Sequence, residues 1–146
     1  MNEIEILLVE DNPDDLEMTL HALRKGKIVN RIQVARDGAE ALAFIFCEGE
    51  YAARRIDSGP RVILLDLKLP KVDGMEVLTR IKADPRTRKI PVVILTSSRE
   101  QEDVVSSYNL GVNSYIVKPV SLDLFVKAVQ DLGVYWLLLN QPPADA

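Results

Sequence analysis

The chain has one cysteine, one histidine and no apolar run near the ~20 residues that a bilayer span needs. The single cysteine, Cys47, excludes an internal disulfide and any multi-cysteine metal cluster, which suits a reducing cytosol. Met1-Asn2-Glu3-Ile4-Glu5 lacks the basic region and apolar stretch of a signal peptide. Excess charge is scarce as well. The net charge of -4 is mild and no Lys/Arg-rich stripe runs along any segment, so the field that non-specific DNA binding needs is missing. No internal repeat or low-complexity tract appears, and 146 residues are close to one ordinary domain, without room for a second. These absences predict a cytoplasmic protein that engages neither membrane nor nucleic acid directly.

Five short runs rich in Ile, Val and Leu alternate with segments of helical period: Ile4 to Val9, Arg31 to Ala35, Val62 to Leu67, Val92 to Leu95 and Ser114 to Lys118. That alternation predicts a parallel sheet covered by helices on both faces. The first helix follows Asn12 as N-cap with Pro13 in its first position, and carries Leu16, Leu20 and Leu23 on one face. A second runs from Ala39 to Phe46. A third follows Asp73-Gly74, spaces Met75, Leu78 and Ile81 for burial, and stops before Pro85. A fourth spans Gln101 to Leu110 with Gly111 as its stop. A fifth starts after Pro119, capped by Ser121, and runs to about Leu139, where Pro142-Pro143 bars continuation and a loose tail begins. Glu48 to Arg61 is the one long connection, of a length that is usually functional or a tolerated insertion.

Charged residues stand where these strands end. Glu10 and Asp11 close the first run, Asp66 the third, Thr96 follows the fourth, and Lys118 the fifth. In an open parallel sheet the carboxyl ends share one edge, so these side chains converge on one pocket. Three carboxylates there repel by roughly 4 kcal/mol per pair at ~4 Å and an effective dielectric near 20. A hard cation offsets that, and Mg²⁺ typically takes one or two carboxylates, leaving room for water, a carbonyl or phosphate oxygens. Beside such an ion Asp66 is able to attack phosphorus and form an acyl phosphate, with Lys118 countering the phosphoryl charge and the Thr96 hydroxyl donating to it. Taken singly, an acidic pair after a strand is often only a helix cap and a terminal lysine only a solvated strand end. A charge inside Ile63-Leu64-Leu65-Asp66-Leu67 is harder to explain without a partner or a task.

Val9-Glu10-Asp11, Leu65-Asp66-Leu67-Lys68-Leu69-Pro70 with Asp73-Gly74, Leu95-Thr96-Ser97 and Lys118-Pro119 resemble, in order and spacing, the signature blocks of the two-component response-regulator receiver domain. The resemblance covers Ile4 to about Leu139 and implies a single receiver domain over residues 1–146, with the flavodoxin-like (βα)5 doubly wound sheet in strand order 2-1-3-4-5. It implies that Asp66 accepts a phosphoryl group from a histidine kinase. It also implies that Asp11, Asp66 and the Lys68 carbonyl hold Mg²⁺, with Glu10 acting through water. Thr96 and Lys118 would hold the phosphoryl group, Tyr115 would move inward with Thr96, and the Lys118-Pro119 bond would be cis, aiming the lysine into the pocket. Ser97 and Lys68 depart from the commonest pattern, which bears on the lifetime of the phosphoryl group. Such a protein is not a metabolic enzyme; it catalyses its own phosphotransfer and autodephosphorylation.

Asn12-Pro13-Asp14-Asp15, the long loop before the third strand and the ending Gly133-Val134-Tyr135-Trp136-Leu137-Leu138-Leu139-Asn140 are similar to the stand-alone regulators that serve bacterial and cyanobacterial phytochromes. That implies a light-sensing histidine kinase as partner. With no residues left for an output domain, the signal is expected to leave through the domain's own surface. On the fifth helix one stripe, Leu122, Phe125, Val129, Leu132 and Trp136, is spaced to pack on the sheet. A second, Leu124, Ala128, Tyr135 and Leu138, points elsewhere and with Trp136 forms the expected interface of a C₂ homodimer.

Rival readings fit less well. A phosphohydrolase of the haloacid dehalogenase type lacks its second acid in Asp66-Leu67-Lys68-Leu69-Pro70. A flavin carrier would meet repulsion of its phosphate at Glu10 and Asp11. A calcium loop from Asp11 finds Ala22 where a bidentate Glu is needed. His21 is expected on the surface, and Cys47 packed as a small apolar residue.

Overall fold

The computed structural model describes residues 6–25, 31–97 and 114–131. Strands β1 (Ile6–Val9), β2 (Ile32–Ala35), β3 (Val62–Asp66), β4 (Val92–Thr96) and β5 (Ser114–Val117) form one sheet in the order β2-β1-β3-β4-β5, every pairing parallel. This is the parallel sheet that the alternating pattern predicts, in the flavodoxin-like, doubly wound strand order that the resemblance implies. β1, β3 and β4 are buried at every position, as strands covered on both faces must be, whereas edge strand β2 buries only Ala35.

Alternate residues feed two cores. Leu7, Val9, Ile63, Leu65 and Ile94 pack with Leu42, Phe44 and Ile45 of α2 (Gly38–Ile45) and with Val77, Leu78 and Ile81 of α3 (Gly74–Ala83). Ile6, Leu8, Leu64, Val93 and Leu95 pack with Leu23 of α1 (Pro13–Lys25) and with Phe125 and Val129 of the last described helix, Leu122–Asp131. Each fully buried aliphatic side chain contributes roughly 1.5–3 kcal/mol.

Side-chain caps set the helix starts. Asn12 Oδ1 accepts from the amides of Asp14 and Asp15 at 2.9 and 3.0 Å, and Asp73 accepts from Glu76 N at 3.0 Å. Ser121 Oγ accepts from Leu124 N at 3.2 Å. Helix α2 begins at Gly38, a residue before the expected start, because Asp37 caps it by accepting from Glu40 N at 2.7 Å.

Several expectations need correction. Arg31 precedes β2, Leu67 and Lys118 lie just past the ends of β3 and β5, and β4 runs one residue further to include Thr96. Ala128 is 5% exposed and belongs to the core, so it is no interface residue; Leu124, 42% exposed, does face outward. Cys47 is only half-buried and is no core filler. Its backbone is left-handed (φ 56) and its sulfur sits 3.6 Å from Arg54 Nη1.

The Glu48 to Arg61 connection is ordered around two 3₁₀ turns, Gly49–Tyr51 and Ile56–Ser58. Phe44 meets Tyr51 edge-on at 5.0 Å, and the Arg54 guanidinium lies 3.7 Å from the Phe44 ring, so the insertion caps the end of α2. The predicted fourth helix, Gln101 to Leu110, lies outside the described residues, as do Ile4, the extension beyond Asp131 with Tyr135, Trp136 and Leu138, and the tail. Among the described residues no helix is long and apolar enough to cross a membrane.

Candidate functional site

Strand register brings the expected side chains to one edge. Val9 pairs with Leu65, Asp66 with Leu95, and Thr96 with Val117, so Glu10, Asp66, Thr96 and Lys118 all stand at or just past the same boundary of the sheet. Lys118 N donates to the Thr96 carbonyl at 2.8 Å, which ties the start of the β5 loop to the end of β4. The Lys118-Pro119 bond is cis, as expected.

Lys118 is the hub. Its Nζ donates to Asp66 Oδ2 and Asp15 Oδ2, each at 3.0 Å, and lies 2.8 Å from Glu10 Oε1 in an ion pair without an aligned hydrogen bond. Burial alone would lower the lysine's proton affinity, but the contacts with Glu10, Asp66 and Asp15 outweigh it and hold the ammonium above lysine's ordinary range. Glu10 is fully buried and its carboxyl is pushed up to about 7, chiefly by burial and next by Asp66, against the pull of Lys118. One cation is thus insufficient for the carboxylates gathered here. Oxygens of Glu10, Asp11 and Asp66 lie within 4.8 Å of one another. At that separation each pair repels by about 3–4 kcal/mol at an effective dielectric near 20.

This donor set fits a small hard cation. It offers three carboxylates in reach of one point, two of them buried, and all-oxygen chemistry suited to Mg²⁺ or Mn²⁺. Glu10 has a second task, since its Oε2 accepts from Asn12 N at 3.3 Å and so shapes the turn into α1. Asp66, 5% exposed, also accepts from Lys68 N at 3.1 Å through Oδ1. The Lys68 side chain is exposed, and Tyr115 is half-buried against the α2/α3 core. Thr96 is wholly buried and its Oγ1 has no hydrogen-bond partner among the described residues, an orphan that is costly unless a ligand takes it up.

The sequence reading missed Asp15 and Arg36. Asp15 stands in the first turn of α1, and no spacing in the sequence ties it to Lys118, 103 positions away. Arg36 Nη2 reaches the Asp11 carbonyl at 3.5 Å. His21 is exposed on α1, away from the pocket, as expected.

Fold and pocket together define a class: a doubly wound α/β domain with a divalent-cation site at the carboxyl edge of its sheet. The response regulator receiver domain matches residues 6–130, and the chain belongs to that family. The response regulator Rcp1 of Synechocystis sp. is 43% identical over 139 residues, covering 95% of this chain and 92% of Rcp1. Its Mn²⁺-bound crystal structure superposes with a TM-score of 0.72 at 44% identity, over 95% of this chain and 98% of that one. The bacteriophytochrome response regulator AtBRR gives a TM-score of 0.87 at 55% identity, over 97% and 100% of the two chains. The phosphorylated cyanobacterial phytochrome response regulator RcpA gives 0.73 at 43%, over 92% and 94%.

Proposed function

We propose that this chain accepts a phosphoryl group on Asp66 from a sensor histidine kinase, a phytochrome, with Mg²⁺ bound at the neighbouring carboxylates, and relays the signal through its own surface in the cytoplasm. The observation that carries the reading is Asp66 itself. It is a nearly buried carboxylate at a strand end, held between the Lys68 amide and the Lys118 ammonium and surrounded by further acids. A carboxylate oxygen attacks the phosphorus of phosphohistidine, the P–O bond forms as the P–N bond breaks, and the imidazole leaves with the electron pair. Asp11, Asp66 and the Lys68 carbonyl would hold the metal, with Glu10 through water. The ion's contribution, once bound, is to neutralise carboxylate repulsion and polarise the transferring oxygens.

Lys118, already pointed at Asp66, is placed to pair with the new phosphoryl charge. The orphan Thr96 hydroxyl is the second donor for it, and Tyr115 follows Thr96 inward, which biases a two-state surface. The names of AtBRR and RcpA, a bacteriophytochrome and a cyanobacterial phytochrome response regulator, favour a phytochrome as kinase. A homodimer through the last helix is part of the proposal, supported by Val117 and Leu124. These are two of the three large apolar side chains exposed among the described residues, and they lie on β5 and the last described helix.

The test is intact mass after incubation with Mg²⁺ and acetyl phosphate, beside Asp66→Asn, with light scattering on the same samples. One phosphoryl adduct on the wild type, absent from the variant and lost on prior chelation, is the expected result. A wild type that stays unlabelled under conditions that label another receiver sinks the phosphoacceptor reading. A monomer at tens of micromolar, phosphorylated or not, sinks the dimer.

A further inference from the structure

Asp15 belongs to neither the metal cluster nor the phosphoacceptor, yet it holds one of the three carboxylates that meet Lys118 among the described residues. The other two, Glu10 and Asp66, are members of the trio whose oxygens lie within 4.8 Å. Their negative charge is therefore shared between Lys118 and any cation bound there, and the two positive charges compete for it. An ammonium has three donors, so losing carboxylate partners in a half-closed pocket, where the lysine side chain is 16% exposed, is costly unless another acceptor remains. Asp15 is that acceptor. It stands on a different element, in the first turn of α1. Asn12 Oδ1 accepts from its amide at 3.0 Å, and its carbonyl accepts from Thr19 Oγ1 at 2.8 Å. Its position is thus fixed by the helix and does not depend on the metal.

We propose that Asp15 is a positioning residue for Lys118. It keeps the ammonium on the α1 side of the pocket, so that lysine and divalent cation share the site without both drawing on Glu10 and Asp66 alone. The proposal rests on the reading of Glu10, Asp11 and Asp66 as the cation's carboxylates. It assigns Asp15 an effect on Mg²⁺ binding that depends on Lys118, which a merely structural ion pair or a generic nearby charge would not have.

The experiment is a double-mutant cycle read by Mg²⁺ titration calorimetry. Asp14→Asn, the exposed neighbour that does not touch Lys118, serves as the control for charge alone. Asp15 and Lys118 are partly screened at 36% and 16% side-chain exposure, so Asp15→Asn is expected to weaken Mg²⁺ about 3- to 10-fold beyond Asp14→Asn. Asp15→Glu is expected to recover most of that loss. In a Lys118→Met background Asp15→Asn should cost no more than Asp14→Asn. Equal Asp15 effects in the two backgrounds, or none beyond the control, overturn the proposal while leaving the metal site standing; a wild type that binds no Mg²⁺ overturns both. If Lys118→Met does not fold, exchange of the Lys118 Nζ protons with water in saturating Mg²⁺ takes its place. Several-fold faster exchange in Asp15→Asn than in Asp14→Asn supports the proposal, and equal rates overturn it.

Discussion

Gly74→Ala is expected to injure the pocket more than the fold. Gly74 opens α3 and its amide donates to the Leu67 carbonyl at 2.9 Å, so the helix starts pressed against the residues that end β3. A Cβ at this position would lie 2.4 Å from the Asp66 carbonyl oxygen, 2.5 Å from Leu67 Cα and 2.8 Å from the Leu67 oxygen. Ordinary contact begins at 3.4 Å, and all three neighbours are backbone, unable to rotate aside. Helix or strand end must therefore retreat by about 1 Å, an overpacking cost at the upper end of the ~1–3 kcal/mol range.

One effect opposes that cost: alanine lowers the entropy of the unfolded chain by the equivalent of about 0.4–1 kcal/mol. The expected net loss is about 2 kcal/mol, a Tm lower by roughly 4–8 °C for a chain of this size. The clashing atoms belong to the backbone of Asp66 and of Leu67 beside it, however, and a misplacement of about 1 Å at a reacting group costs on the order of 10²-fold in rate. The assay pairs urea unfolding with the rate of phosphoryl incorporation from acetyl phosphate in Mg²⁺. Gly49→Ala is the control. Its φ of +57 strains alanine by about 1–2 kcal/mol, but nothing lies within 4 Å of its Cβ, so labelling should stay normal. Wild-type labelling by Gly74→Ala, or an equal loss in both variants, would refute the reasoning.

The orphan hydroxyl of Thr96 makes a second substitution informative. Thr96→Val removes a buried donor that has no partner among the described residues, so metal-free stability in urea should be unchanged or higher by up to ~1 kcal/mol, while labelling persists and its effect on assembly, read by light scattering, disappears. A clear loss of stability would mean that the hydroxyl is already bonded. Glu10 predicts a pH dependence. Its folded carboxyl titrates near 7 against an ordinary 4.5, so the folded state binds the proton more tightly. That stabilisation is complete below pH 4.5 and is lost as pH rises through 7, by at most about 3 kcal/mol. Urea unfolding of chelated protein between pH 5 and 8 should show the decline, and saturating Mg²⁺ should flatten it; a metal-free stability that rises across this window contradicts the burial of Glu10.

Strand ends were legible because a parallel sheet imposes one rule on all of them: apolar on both faces until the chain leaves the core. Asp66 breaks Ile63-Leu64-Leu65 at the position where the register meets the edge, which is why the residues at four strand ends are assigned to one pocket from the sequence. Asp15 follows a different rule. Its place beside Lys118 depends on how α1 lies against the β5 loop, a contact between residues 103 positions apart that helical periodicity does not encode. Ala128 failed for a related reason. On a helical wheel it sits with Leu124, but the last helix packs closely enough for Ser114 Oγ to donate to the Ala128 carbonyl at 3.3 Å, and that closeness buries the small side chain while leaving the larger one outside. Sequence periodicity thus marks which elements meet the sheet, whereas the depth of each contact is decided by side-chain volumes on both partners at once. The active edge was readable because its chemistry is carried by positions that the strand rule fixes. The residue that regulates the lysine was not, because helix docking alone brings it there.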